Sequence, residues 1–404
     1  MPNMTHPHKK RTRISDLPAE LLEVILTKLP FVDNIRSSAV CSSWNSATTQ
    51  VPLCAQTPWL MLPSDEEDDF TTRRFFNLAE NKVYKMKNVL ERFGGDVWCV
   101  GSSHGWLVIL DDEANPHLFN PFSRVQIQLP LFTDELANVN NLRKSFITKA
   151  ILLADPSRSN DFVVVMIYDY DFASRLAFYK QGDKTWTKLF GANQDYCDII
   201  CHDNQLFALA DNRSVEVWEF QSSSLTKIMS IEPSMQLKDV EKFPRNNNIS
   251  TKFYLVKTSN DDVLFIERFI GNFVNAQGFV VDESYLLSSN DTQPLVCPYR
   301  TKMFFVFKLD FKLKRWEKVE SLKDQVVFLG GNQSMSVSSH DFSECKPNSI
   351  YFTDDRWYEM DLDNLYGGHD LGLFNLDNES IKPFYHSDLE KIDSPPFWIS
   401  PNPW

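Results

Sequence analysis

Residues 16–44 read DLPAELLEVILTKLPFVDNIRSSAVCSSW, and this stretch sets the organisation of the chain. Leu17-Pro18 opens a helix: Ser15 or Asp16 can cap it, and Pro18 stands where a missing N–H costs nothing. Leu21, Leu22, Ile25, Leu26 and Leu29 recur at i, i+1, i+4, i+5 and i+8, laying an apolar face over about two and a half turns. Pro30 stops this helix, Asp33 can cap a second, and Val40-Cys41 with Trp44 form the apolar edge of a third. Three helices in about 35 residues cannot bury such a face among themselves, so the segment needs a partner or the rest of the chain.

Leu17-Pro18, Glu20-Leu21-Leu22, Ile25-Leu26, Leu29-Pro30, Asp33, Arg36, Val40-Cys41 and Trp44 stand in the order of a known motif, and the segment resembles an F-box. The resemblance implies docking onto the Skp-type adaptor of an SCF (Skp–cullin–F-box) ubiquitin ligase and, through that adaptor, a cullin. Leu17, Pro18, Leu21, Ile25, Leu26, Val40, Cys41 and Trp44 would then supply the apolar surface that meets the adaptor. An ordinary N-terminal helical hairpin is the plainer alternative.

The 404 residues have length enough for a small domain and a large one, and 43% hydrophobic with 24% charged residues is the balance of a globular protein. A net charge of −13 and a pI near 5.1 argue against a nucleic-acid partner, which needs a basic stripe. No apolar h-region follows the basic start, so no secretory leader is expected. The longest apolar run, Phe162 to Tyr168, falls short of the roughly 18 residues a membrane span requires. Seven scattered cysteines suggest a reducing compartment, and sequons such as Asn290-Asp291-Thr292 then read as chance matches. A cytoplasmic or nuclear location is expected. Lys9 to Arg13 reads either as a nuclear import signal or as a solvated tail.

Beyond the acidic run Ser64 to Asp69, a linker by composition, the pattern becomes β-type. Short runs rich in Val, Ile, Phe, Tyr and Trp alternate with turn residues, as in Trp106–Leu110, Phe162–Tyr168, Leu206–Ala210, Val263–Phe269 and Gln325–Leu329. Thr133 to Lys144 is the main helical candidate. Starting units at Trp106, Phe162, Leu206, Phe253, Phe304 and Ile350 gives intervals of 56, 44, 47, 51 and 46 residues, a step that suits propeller blades. Phe178-Tyr179-Lys180 before Trp186, and Val306-Phe307-Lys308 before Trp316, echo each other across an Asp-containing turn, with the Trp placed to pack between blades. Six units are countable. A seventh can be assembled from the strand near Gly372 and early strands such as Trp59–Leu62 or Val97–Val100. A β-sandwich or a pair of all-β domains is the alternative.

Gly101-Ser102-Ser103-His104-Gly105-Trp106-Leu107, Leu118-Phe119-Asn120-Pro121-Phe122, Gly330-Gly331-Asn332-Gln333-Ser334 and Asn348-Ser349-Ile350-Tyr351-Phe352-Thr353-Asp354-Asp355 are similar to landmarks of the KIB-type β-propeller of plant F-box proteins. That resemblance implies an N-terminal F-box followed by a C-terminal propeller that presents substrates.

Gly101 to Gly105 is also a literal G-x-S-x-G, the pattern of a hydrolase elbow with Ser103 as nucleophile. An elbow needs a following helix, and here a second strand follows, so the two glycines read as hairpin-turn positions. Cys197-x-x-x-Cys201-His202 lacks the second ligand pair of a zinc site and reads as partly buried cysteines near a strand. Asp111-Asp112, Asp261-Asp262 and Asp354-Asp355 follow strands, where Asp forms turns. Trp98, Trp106, Trp186, Trp218, Trp316 and Trp357 read as core between blades.

The sequence thus leads to a mainly β protein: a three-helix F-box over 12–50, an acidic transition over 51–74, a β-propeller of six to seven blades over 75–385 and a tail over 386–404. No catalytic centre, metal site or cofactor is expected. The expected role is substrate recognition in an SCF-type ligase for an unidentified protein substrate. The rivals are a scaffold acting outside ubiquitination and a Ser103 hydrolase.

Overall fold

A computed structural model describes residues 14–50, 56–62, 69, 71–93, 97–132, 146–190, 195–221, 224–232, 249–271, 300–355, 370–384 and 396–402. Lys9 to Arg13, most of the acidic run, Thr133 to Lys144 and Trp357 lie outside the described residues. The chain forms two compact units, the first ending at Gln56 and the second running Thr57–Asn402. No helix among the described residues is long and apolar enough to cross a membrane.

The first unit holds three helices, α1 (Ala19–Leu26), α2 (Phe31–Ser37) and α3 (Ser42–Gln50). Pro18 and Pro30 occupy the N-cap positions of α1 and α2, and neither cap makes a side-chain hydrogen bond. The caps assigned to Ser15 or Asp16 and to Asp33 are therefore corrected: proline's fixed φ starts each helix. Asp33 instead lies in the first turn of α2, 3.3 Å from Arg36. Leu22 and Leu26 of α1 pack with Trp44 and Ala47 of α3, with Leu17, Leu29 and Cys41 at the margin. The Asn34 side chain donates to the Leu26 carbonyl at 2.9 Å, satisfying an acceptor at the end of α1.

The second unit is built from blades that are antiparallel except for one parallel pair in the sixth, between Gln325–Leu329 and Ser349–Phe352. The first joins Trp59–Leu62, Arg73–Asn77 and Lys82–Met86 to a strand from the far end of the chain, Phe397–Ile399, with Trp59 opposite Ile399 and Leu60 opposite Trp398. Blade two comprises Trp98–Ser103, Trp106–Leu110, Pro116–Phe119 and Gln126–Gln128. Blade three comprises Ile147–Leu152, Val163–Tyr170, Ala173–Lys180 and Thr187–Leu189. Blade four comprises Tyr196–His202, Gln205–Ala210, Val215–Gln221 and Ser224–Ile231. Blade five (Ile249–Lys257, Val263–Gly271, Arg300–Asp310, Arg315–Val319) meets blade six through one parallel bridge, Lys257 to Met335. Blade six runs Met335–Ser338, Gln325–Leu329, Ser349–Phe352, Gly372–Asn375 and Ser380–Lys382 from that bridge outward.

Six blades stand among the described residues, and their count differs in origin from the sequence spacing. Phe253 and Phe304 lie on the first and third strands of one blade, so they do not start two units. The sixth blade comes instead from Trp59–Leu62 and its C-terminal partner. That pairing moves two boundaries: the segment 51–74 contains the first propeller strand, and the tail over 386–404 contains a buried one. A strand supplied from about 340 residues away leaves no local trace in either segment.

The core lies between blades. Ile151, Val165 and Phe178 of blade three pack on Ile199, Leu206 and Trp218 of blade four. Phe207 and Val217 of blade four pack on Phe265, Phe307 and Trp316 of blade five. Tyr254 and Phe304 of blade five pack on Ile350, Phe352 and Phe374 of blade six. Phe328 and Tyr351 of blade six pack on Leu60, Phe76 and Trp398 of blade one, which completes the ring. Trp316 fills the inter-blade place expected of it, whereas half-buried Trp186 donates its ring N–H to the Pro130 carbonyl at 2.7 Å.

Arg268 joins blades five and six through a buried network. It donates to Thr301 Oγ1 at 2.7 Å, to the Thr353 carbonyl at 2.9 Å, to Asp355 at 3.2 Å and to Asp370 Oδ2 at 3.0 Å. Asp354 and Asp355, expected in a turn, are buried here, and Asp355 also pairs with Lys252 at 3.2 Å. Burial pushes the Asp355 carboxyl up, but Lys252 and then Arg268 outweigh it and hold it below the usual carboxylate range.

These contacts generate three stability predictions. Trp398→Ala should cost about 3–5 kcal/mol in denaturant unfolding, since it empties the closing contact. Arg268→Ala should cost about 3–5 kcal/mol because buried Asp370 loses its cation and buried Asp355 keeps only Lys252. The depressed Asp355 contributes stability that is present above the unfolded value of about 3.9 and lost as pH falls below it, so Asp355→Asn should flatten the acid limb of the unfolding profile.

Candidate functional site

Two surfaces stand out, one in each unit. On α1 the residues at i, i+3 and i+4 divide by exposure. Leu22 and Leu26 turn into the three-helix core, while Leu21 and Val24 are 52% and 53% exposed and Ile25 is 36% exposed. Val40 is exposed as well, Leu17 and Cys41 are half-buried, and Pro18 is exposed. Leu26 and Trp44, both expected at the adaptor-facing surface, have their side chains in the unit's own core. Val24 shares the exposed side of α1 with Leu21 and Ile25, and its spacing from Leu21 was the signal that could have found it.

The second surface is a cavity of about 580 Å³ where the turns after the innermost strands converge. Every blade contributes: Ser400 from blade one, Ser102 to His104 from blade two, Leu153 from blade three. Cys201, Asp203 and Asn204 reach it from blade four, Lys257 to Ser259 from blade five and Gln333 to Ser336 from blade six. The Ser102 carbonyl accepts from the Gln333 N–H at 3.0 Å, and the Ser103 hydroxyl bonds the Gln333 side-chain oxygen and the Leu152 carbonyl. The Ser102 hydroxyl donates to the Trp398 carbonyl at 2.7 Å, tying this turn to the closing strand. Gly101-Ser102-Ser103-His104-Gly105 and Gly330-Gly331-Asn332-Gln333-Ser334, far apart in sequence, thus meet at one mouth.

This geometry explains the G-x-S-x-G without a nucleophile. His104 and Gly105 have φ of 53° and 83° and form the tight turn between two strands of blade two. Gly101 has another reason and is not a turn position: a Cβ there would stand 1.9 Å from the Ala150 carbonyl oxygen, where blades two and three press together. The Ser103 hydroxyl is buried against two oxygen acceptors rather than a basic nitrogen.

Cys197, Cys201 and His202 lie on the innermost strand of blade four. Burial raises both thiols, Cys201 to about 11, so neither is a thiolate at neutral pH. His202, Asp203 and Asp261 bring ligand-type atoms within 4.8 Å of one another. Lys257 stands 3.0 Å from Asp261 and holds its carboxyl below the usual range, so a cation is already present beside that carboxylate.

The KIB1-4 beta-propeller family matches residues 75–375, and the F-box domain matches residues 14–56. The chain belongs to the KIB1-4 β-propeller family and carries an F-box domain. Relatives extend over nearly the whole length. Putative F-box protein At4g22660 of Arabidopsis thaliana is 23% identical over 401 residues, 93% of each chain. F-box/kelch-repeat protein KIB1 of the same plant is 27% identical over 384 residues, covering 92% of this chain and 83% of the relative. F-box protein At2g14290, also from Arabidopsis thaliana, is 27% identical over 378 residues, 92% of each. In this KIB1-4 propeller the matched span leaves out Trp59–Leu62 and Phe397–Ile399, the two strands whose pairing completes blade one.

The cavity separates structural from reactive readings of the same motif. Gly101→Ala should destabilise the propeller by about 1–3 kcal/mol or more, because a methyl group has to displace backbone. Ser103→Ala should leave turnover of a nitrophenyl ester at the rate of the unaltered chain, measured spectrophotometrically.

Proposed function

We propose that this chain is the substrate-recognition subunit of an SCF-type ubiquitin ligase. Its F-box helices dock on a Skp-type adaptor, which links them to a cullin, and its propeller holds a protein substrate. The observation that carries this reading is the uncovered apolar face Leu21-Val24-Ile25 on α1, within the segment that matches the F-box domain. A helix that keeps Leu22 and Leu26 for its own unit and exposes three aliphatic side chains at i, i+3 and i+4 has the form of a groove-binding or helix-packing element. Leu17, Pro18, Val40 and Cys41 extend this surface in the proposal.

Such a subunit needs no chemistry of its own. One chain that engages adaptor and substrate together raises the effective concentration of substrate lysines at the charged conjugating enzyme, and the rate gain is one of proximity.

Leu21→Glu combined with Ile25→Glu should weaken adaptor binding at least about thirtyfold, since both anchors lose their apolar contact and bury charge. Thermal unfolding should stay close to that of the unaltered chain, because both positions are exposed. Co-purification of adaptor in unchanged amount with the folded double variant would overturn this interface. Adaptor binding without recruitment of cullin would favour the scaffold reading.

A further inference from the structure

We propose that the cavity at the mouth of the innermost strands is the substrate-recognition site, and that it takes an uncharged polar peptide segment bearing Ser, Thr, Asn or Gln side chains. The inference rests on the substrate-receptor reading and deepens it.

Three observations converge. The first is an unmet hydrogen-bonding group: Ser334 is only 3% exposed, lines the cavity, and its buried hydroxyl has no hydrogen-bond partner among the described residues. Buried hydroxyls are normally paired, so an unpaired one on a cavity-lining residue leaves a polar group that a ligand's polar atom would satisfy. The second is the chemistry of the wall. Ser102, Ser103, Thr258, Ser259, Ser336 and Ser400 line it; all but Thr258 donate their hydroxyl proton within the protein, which leaves their oxygens as acceptors, with the amides of Asn204 and Gln333 among them. Ser103 occupies the Gln333 side-chain oxygen, which leaves that amide's N–H groups as donors. The cavity volume falls within the range of ligand sites.

The third is charge. Among the described residues no arginine lines the cavity, and the one lysine that does, Lys257, is paired with Asp261, while Asp203 adds a negative charge. Phosphate recognition uses bidentate arginine or clustered cations, and this wall supplies neither. A strongly basic segment has only Asp203 to meet. The complementary ligand is neutral and offers hydroxyl and amide groups that both donate and accept, as a polar loop of a protein does.

The test uses the full chain with fluorescein-labelled octapeptide pools of fixed composition: Ser/Thr/Asn/Gln-rich, the same pool with phosphoserine, Lys/Arg-rich and Leu/Val-rich. In fluorescence polarisation the neutral polar pool should bind, and the phosphorylated pool should bind at least about tenfold more weakly. Ser334→Val and Gln333→Leu should each weaken the neutral pool about five- to tenfold, the loss of one or two hydrogen bonds. Should a buried variant fail to fold, Ser259→Trp at the exposed rim serves instead and should block binding. Stronger binding of the phosphorylated or basic pool, binding by none of the pools, or binding indifferent to these substitutions would overturn the proposal. Adaptor pull-down with the same variants keeps the two readings apart. Lost adaptor binding with intact peptide binding would count against the ligase role and leave the cavity site standing.

Discussion

Phe397–Ile399 hydrogen-bonds to Trp59–Leu62, and the remainder of the propeller depends on this three-residue strand. With it in place, Trp398 packs between blades one and six, and the apolar faces of Leu60, Phe76, Phe328 and Tyr351 are covered. Without it, blade one would present a bare inner edge and blade six an uncovered face, and open edges invite pairing with other chains. The same strand also sets the cavity. The Trp398 carbonyl accepts the Ser102 hydroxyl, and Asn402 donates to the His104 carbonyl at 3.0 Å and to Asp155 at 2.8 Å. Closing the ring and shaping its mouth are one event.

Crowding near the axis explains why the innermost strands carry the chain's least typical β residues. Gly101 lies against the Ala150 backbone, and Lys149 of blade three pairs with buried Asp198 of blade four. Asp198 in turn accepts the Leu255 N–H of blade five at 2.7 Å, so one carboxylate links three innermost strands. At these positions polar side chains satisfy one another, or a backbone N–H, across blade boundaries. The axis is therefore polar, and where it opens, the wall is one of hydroxyls and amides. The apolar mass lies farther out, between blades.

The two units divide the protein's surface chemistry. The helical unit keeps an aliphatic face uncovered, an arrangement suited to a permanent partner with its own apolar surface. The propeller covers its apolar residues among its blades and offers hydrogen bonds at its mouth, which favours directional recognition over strong non-specific burial.

Much of this was legible in the chain alone. Leu21, Leu22, Ile25 and Leu26 fixed a helix with a wide apolar face, since 3.6-residue periodicity is local. Val163–Tyr170, Gln205–Ala210 and Gln325–Leu329 were readable as strands because they lie between covered faces and carry short continuous apolar runs. The innermost strands, such as Ile147–Leu152 and Tyr196–His202, were harder to see, because Lys149, Asp198 and His202 interrupt that pattern. Only the tertiary structure decided which half of the α1 face is spent internally, that Phe253 and Phe304 share a blade, and that residues 397–399 close the ring. It alone brought the motif at Gly101 to Gly105 beside the one at Gly330 to Ser334. Local sequence specifies periodicity and turn chemistry. Which surfaces then cover each other depends on contacts between residues hundreds of positions apart, and no local pattern encodes those.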